Sequence, residues 1–137
     1  MTMQYLFDVS GKVAVVSGGS SGIGAMMARG LLENGAKVYV TARKAERLMA
    51  MAEELSGFGE CIAIPGDMSK VEGIEALVAE ISKHESKIDI LINNAGANWS
   101  APIEDFPEKG WDKVMDINIK SIFFTTQKFL PLLKAAG

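Results

Sequence analysis

Residues 17–24 read SGGSSGIG and stand between the apolar run Val13-Ala14-Val15-Val16 and the helix-like stretch Ala25-Met26-Met27-Ala28-Arg29. A glycine-rich turn placed directly between a strand and a helix is where an open parallel α/β sheet binds phosphate. The first N–H groups of a helix have no partner within it, and its dipole puts about half a positive charge at that end. Here Gly18, Gly22 and Gly24 let backbone approach a ligand closely, Ser20 and Ser21 add hydroxyl donors, and Ile23 completes the turn into the helix. The spacing is G-x-x-x-G-x-G, not the commoner G-x-G-x-x-G. Alone it is equally compatible with a tight turn.

The flanking pattern supplies what the glycines lack. Val- and Ile-rich runs of strand length occur at 12–17, 37–41, 60–65 and 88–92, without the strict alternation of a half-exposed sheet. Between them lie stretches of helical period: Ile23, Met26, Met27, Gly30 and Leu31; then Leu48, Met51, Ala52 and Leu55; then Ile74, Leu77, Val78 and Ile81. Asn34-Gly35 closes the first of these helices, and Gly57 and Gly59 close the second. Asp67 or Ser69 is placed to cap the third. A last and longest helix is expected from Trp111 to about Ala135, its apolar side formed by Trp111, Val114, Met115, Ile122, Phe129 and Leu133. Pro131 is expected to bend it or end it early. The order β-α-β-α-β-α-β-α predicts right-handed crossovers and a parallel, doubly wound α/β sheet, strand order 3-2-1-4. One dinucleotide-binding domain over residues 1–137 is the expectation.

Composition removes several function classes. The net charge of −3 and the absence of a long Lys/Arg block argue against a nucleic-acid partner. The opening Met1-Thr2-Met3-Gln4-Tyr5 lacks a secretion signal, and no apolar run approaches the roughly 18 residues of a membrane helix, so a cytoplasmic protein is expected. Cys61, the one cysteine, lies in an apolar stretch and reads as an inert thiol. With His84 the one histidine, and placed near a helix end, no metal centre is expected. Asn98-Trp99-Ser100 matches a glycosylation triplet by chance on this reading.

Sites for NAD usually carry an acid about 20 residues beyond the glycines, holding the ribose 2′-hydroxyl. The second strand instead ends Tyr39-Val40-Thr41-Ala42-Arg43-Lys44. Arg43 can make paired, charge-assisted hydrogen bonds to a 2′-phosphate and Lys44 adds a second positive charge, which favours NADP(H). The plainer alternative is that both residues only start a solvated helix.

Taken together, the SGGSSGIG turn, Asp67, Asn93-Asn94-Ala95-Gly96 and Asn118 resemble the amino-terminal half of the short-chain dehydrogenase/reductase family, whose fold is the Rossmann sheet. The resemblance runs from Leu6 to the end, and Gly110-Trp111-Asp112-Lys113-Val114-Met115 draws it toward bacterial NADPH-dependent β-ketoacyl reductases, the rhamnolipid-associated type included. It implies that Asp67, with the Met68 backbone, contacts adenine, and that Asn94, Ala95 and Gly96 line the cofactor's ribose. Asn118 falls on the apolar side of the long helix, where an amide needs a partner. The resemblance makes it the catalytic Asn that holds a water linking a catalytic lysine to solvent.

The same resemblance implies a ketone/alcohol substrate and a homo-oligomer, dimer or tetramer, built on the long helix, with Phe123, Phe124, Gln127 and Leu130 as candidate contacts. It also implies a catalytic serine and a Tyr-x-x-x-Lys pair further along. The two tyrosines, Tyr5 and Tyr39, are followed four residues later by Val9 and Arg43, so neither forms that pair. The chain is therefore expected to be a truncated cofactor-binding half, inactive alone, with its fourth strand an exposed edge prone to aggregation or swapping. Rival readings are a non-catalytic NADP(H)-binding or interaction module, and a nucleotide-using relative with another ligand.

Overall fold

The computed structural model describes residues 3–137; Met1 and Thr2, where the reading of the N-terminus begins, lie outside the described residues. A short helix α1 (Met3–Leu6) precedes β1 (Val13–Ser17), α2 (Gly22–Glu33), β2 (Lys37–Thr41), α3 (Ala45–Leu55), β3 (Cys61–Ala63), α4 (Val71–Ser82) and β4 (Ile90–Ile92). Then come a single 3-10 turn at Ile103–Asp105, α5 (Glu108–Met115), a π-helical segment Asp116–Lys120 and α6 (Ser121–Ala135). The four strands form one parallel sheet in the order β3-β2-β1-β4, as the alternating pattern predicts.

Alternation along β1 and β2 sends side chains to two separate cores. Ala14, Val16, Val38 and Val40 pack against Ala28 and Leu32 of α2 and Leu48, Ala52 and Leu55 of α3. On the opposite face Val13, Val15 and Tyr39 meet Ile74, Leu77 and Ile81 of α4 and Phe129 of α6. Because both faces are covered, β1 is buried throughout and its sequence shows no polar alternation. The edge strands β3 and β4 are only half buried. No helix among the described residues is long and apolar enough to cross a membrane.

Three expectations about helix faces are corrected. In α2 the buried positions are Gly24, Ala28 and Leu32, while Ile23 is 70% exposed and Met26 also faces out. Close approach of α2 to the sheet selects small residues over the largest apolar ones. Neither Asp67 nor Ser69 caps α4; its N-cap position is Lys70, and Asp67 instead folds onto Ser69. The long helix starts at Glu108 and continues to Ala135 with Pro131 inside it. Its buried positions are Gly110, Ile117, Ser121, Thr125 and Phe129, whereas Trp111, Met115 and Ile122 are exposed. The π segment inserts an extra residue into the helical turn, so a 3.6-residue period carried from Trp111 to Phe129 runs out of phase.

Asp89 clips the starts of β1 and β4. Its Oδ2 accepts the Val13 N–H at 2.9 Å, its own N–H donates to the Val13 carbonyl at 2.9 Å, and Lys87 lies 3.4 Å from Oδ1. Burial pushes this carboxyl up, but the Val13 bond and the charges of Lys87 and Lys12 outweigh it and hold the pKa below the usual carboxylate value. A depressed folded pKa means stabilisation that is present above the unfolded value of about 3.9 and lost as pH falls through the folded one. Asp89→Asn keeps an acceptor and removes the charge, so it is expected to cost about 1 kcal/mol at neutral pH, the difference between a charged and a neutral hydrogen bond. Urea melts of both proteins at pH 7 and pH 3 check this: the gap should narrow at the lower pH.

Candidate cofactor site

The site is assembled where three strands end. Ser17, the last residue of β1, accepts the N–H groups of Asn94 and Ala95 on its Oγ, both at 3.0 Å, and donates to the Ile92 carbonyl at 3.3 Å. The Asn94 amide donates to the Gly18 carbonyl at 3.2 Å. Gly18 and Gly19 in turn donate to the Thr41 carbonyl at the end of β2, at 2.9 and 3.4 Å. These bonds replace the sheet ladder where the strands diverge and hold the glycine turn against its neighbours.

Gly18 and Gly24 require glycine for different reasons. Gly18 has φ +69°, and a Cβ on it would stand 3.0 Å from both the Ala95 Cα and the Asn94 amide nitrogen. A Cβ on Gly24 would fall onto the Gly18 carbonyl oxygen and 2.5 Å from Asn94 Nδ2. Gly24, rather than Gly30, therefore seats α2 on the sheet; a Cβ on Gly30 would meet nothing within 4 Å. At the N-terminus of α2 the Ser21 side chain makes no capping bond, and the first turn holds no acid. Its N–H groups are thus left for an anionic ligand, without a competing carboxylate.

A cleft of about 330 Å³ opens at the carboxyl ends of the strands. Of the residues singled out in the sequence, Gly18, Ser20, Ser21, Arg43, Met68, Asn94, Ala95 and Gly96 line it. Gly22, Ile23, Gly24, Lys44, Asp67 and Asn118 are not among its lining residues. Lys44 stands at the N-cap of α3. The Asp67 carboxylate accepts the Ser69 N–H and hydroxyl at 3.0 and 2.6 Å. Burial raises its pKa, but those two bonds and the nearby charges of Arg43 and Lys70 bring it below the usual carboxylate value.

Asn118 lies in the π segment and clamps one loop residue from both sides. The Ala97 N–H donates to its Oδ1 at 2.9 Å, and its Nδ2 donates to the Ala97 carbonyl at 2.8 Å. Ala97 forms part of the cleft wall, so Asn118 acts on the cleft through that loop. Behind it lies a second hollow of about 350 Å³ bordered by Trp99, Phe106 and Trp111. Thr41, Ala42, Gly66, Ala97 and Ile117 also line the cleft and carried no site signal in the sequence, and Ser17 stood only at the head of the glycine motif. Ser17 is the polar stop to the apolar run Val13-Ala14-Val15-Val16, a signal visible in the sequence, whereas the inward turn of Ile117 depends on the π segment.

No cluster of three or more His, Cys, Asp and Glu side chains suited to a metal occurs among the described residues. His84 is exposed, 3.7 Å from Glu80. Cys61 is partly buried on β3, its thiol pushed up to about 11 by that burial. Tyr39 is buried and donates its phenol proton to Glu85 at 2.9 Å; burial, followed by that bond, raises its pKa.

A four-stranded sheet in this order, with a glycine cradle and an Asn-clamped cleft, agrees with the comparisons with known proteins. The family model for short chain dehydrogenases matches residues 12–137. The chain belongs to the short-chain dehydrogenase family. It is 46% identical over 135 residues to the rhamnolipids biosynthesis 3-oxoacyl-[acyl-carrier-protein] reductase of Pseudomonas aeruginosa, covering 98% of this chain and 53% of that one. The solved Pseudomonas aeruginosa RhlG/NADP active-site complex superposes with a TM-score of 0.93 at 45% identity, covering 96% of this chain and 51% of the other. The L-sorbose reductase of Gluconobacter frateurii, solved with NADPH and L-sorbose, gives a TM-score of 0.89 at 30% identity over 94% of this chain and 50% of its own. This member of the short-chain dehydrogenase family thus spans about half the length of the curated relatives it matches.

Gly24→Ala is expected to cost about 1–3 kcal/mol by overpacking α2 against the turn. Gly30→Ala, with open space around it, should instead gain up to about 1 kcal/mol from helix propensity. Paired urea melts of the two variants check the assignment of the close contact to Gly24.

Proposed function

We propose that this chain is the cofactor-binding half of an NADP(H)-dependent oxidoreductase that interconverts a ketone, of the 3-oxoacyl type, and a secondary alcohol. The observation that carries the reading is Arg43, which lines the cleft at the carboxyl end of β2 where no acid stands. A guanidinium there matches a 2′-phosphate in charge and in its paired donor geometry. The names of the Pseudomonas relative and of the RhlG/NADP complex support the substrate class and the cofactor.

The residues present fit the dinucleotide: the bare Gly18 and Gly24 leave the cradle that a Cβ would fill, and the open N-terminus of α2 offers unpaired donors. In this reading the N–H groups of Gly22, Ile23 and Gly24 with Ser20 and Ser21 hold the pyrophosphate, and Arg43 holds the 2′-phosphate, with Lys44 adding charge. Asp67 and the Met68 backbone face the adenine, and Asn94, Ala95 and Gly96 flank the nicotinamide ribose. The bound nicotinamide supplies the hydride. Asn118 serves as a positioning residue that fixes the Ala97 loop, and the family role of a water-holding catalytic Asn is proposed for it as well. Tyr39, tied to Glu85, is not free to exchange a substrate proton, and neither Tyr39 nor Tyr5 is followed four residues later by a lysine, so in this reading none of the cleft residues named above is the proton donor. The chain alone is accordingly inactive, and its complete form pairs as a dimer or tetramer through the outer side of α6. On that side Phe123 and Leu130 are exposed, while Phe124 packs partly into the core.

Fluorescence titration with NADPH and with NADH tests the proposal. NADPH is expected to bind more tightly, and Arg43→Ala to weaken NADPH about 10- to 100-fold while leaving NADH unchanged, the effect of losing a charged hydrogen-bond pair. Equal affinities that Arg43→Ala does not alter would overturn the NADP(H) assignment.

A further inference from the structure

A side-chain hydroxyl buried without a partner is rare in a folded protein and calls for an explanation. Thr41 is 1% exposed, and its Oγ1 has no hydrogen-bond partner. Its carbonyl is engaged by the N–H groups of Gly18 and Gly19, so the backbone is held firmly while the hydroxyl is left over. Thr41 ends β2, two residues ahead of Arg43, and it contributes to the cleft wall. Facing it is Gly66: a Cβ there would stand 3.5 Å from Thr41 Oγ1 and 3.2 Å from the Met68 Cε. A missing side chain thus leaves a narrow gap bordered by an idle hydroxyl on one side and a thioether methyl on the other. Met68 is nearly fully buried, yet its unbranched side chain turns about three bonds and is the easiest cover to displace.

We infer that Thr41 binds the adenosine of the dinucleotide, its hydroxyl gaining a hydrogen bond from the base or ribose when the Met68 methyl moves off the Gly66 gap. The inference rests on the NADP(H) reading above, since the 2′-phosphate on Arg43 is what brings the adenosine to this end of the cleft. A neutral hydroxyl suits the uncharged part of the ligand and leaves the phosphate to Arg43.

Thr41→Val preserves the shape and removes the hydroxyl; Thr41→Ser keeps the hydroxyl. Titrations of wild type and both variants with NADPH and NADH, together with melting of the ligand-free proteins, decide the matter. The expected result is about tenfold weaker binding of both dinucleotides by Thr41→Val, near-normal binding by Thr41→Ser, and no fall in the melting temperature of ligand-free Thr41→Val. Unchanged affinity in Thr41→Val, a lower ligand-free melting temperature, or a loss confined to NADPH would each overturn the assignment of this hydroxyl to adenosine. Wild type that binds neither dinucleotide would overturn the cofactor reading itself, whereas normal wild-type binding with an unaffected Thr41→Val overturns only the role of Thr41.

Discussion

The hydroxyl of Ser17 holds β1 and β4 together at the point where their ladder stops. Parallel strands that diverge leave N–H groups facing one another with nothing between them, and a buried N–H without an acceptor is costly. One oxygen accepts two such N–H groups, and its own O–H donates a hydrogen bond to the Ile92 carbonyl at the end of β4. The divergence matters because the chain leaves β1 toward β2 on one side of the sheet and returns to β4 from the other, which creates a crevice at the reversal. The cleft is therefore a product of strand order, and Ser17 with Asn94 prevents it from collapsing or splaying.

Around that knot the structure arranges charge by omission as much as by placement. The α2 terminus has no capping side chain and no acid, Arg43 stands where an acid would oppose a phosphate, and the Asp67 carboxylate is turned onto Ser69. At the other end of the sheet charges are neutralised within the protein: Lys37 meets Glu85 at 2.5 Å and Asp89 meets Lys87. One end is built to be complete and the other to be completed by something else.

Strand order, the two-faced burial of β1 and most of the glycine cradle were legible in the sequence, because Val-rich runs, helical spacing and turn residues each have a local physical cause. Burial in α3 and α4 was equally legible, since Leu48, Ala52, Leu55, Ile74, Leu77 and Ile81 follow a clean period. The faces of α2 and of the long helix were not. In α2 the criterion was closeness rather than apolarity, so Gly24 and Ala28 went inside while Ile23 and Met26 stayed out. In the long helix the π segment broke the period on which any face reading depends. A threonine ending a strand is ordinary, and an unpaired buried hydroxyl is shared with Thr125 of α6; what distinguishes Thr41 is that its unpaired oxygen belongs to a residue of the cleft wall and faces Gly66.

The π segment also changes what kind of object the last helix is. With an extra residue wound into Asp116–Lys120, the stretch from Glu108 to Ala135 behaves as two rods joined out of phase, each free to satisfy a different neighbour. The first rod and the joint serve the loop at Ala97 through Asn118, and the second serves the sheet through Phe129. A straight α-helix of the same sequence would rotate one of these contacts away by about 100° for each residue of offset. The length of this helix is therefore constrained as tightly as its composition: deleting one residue from the joint would force a choice between the cleft wall and the core.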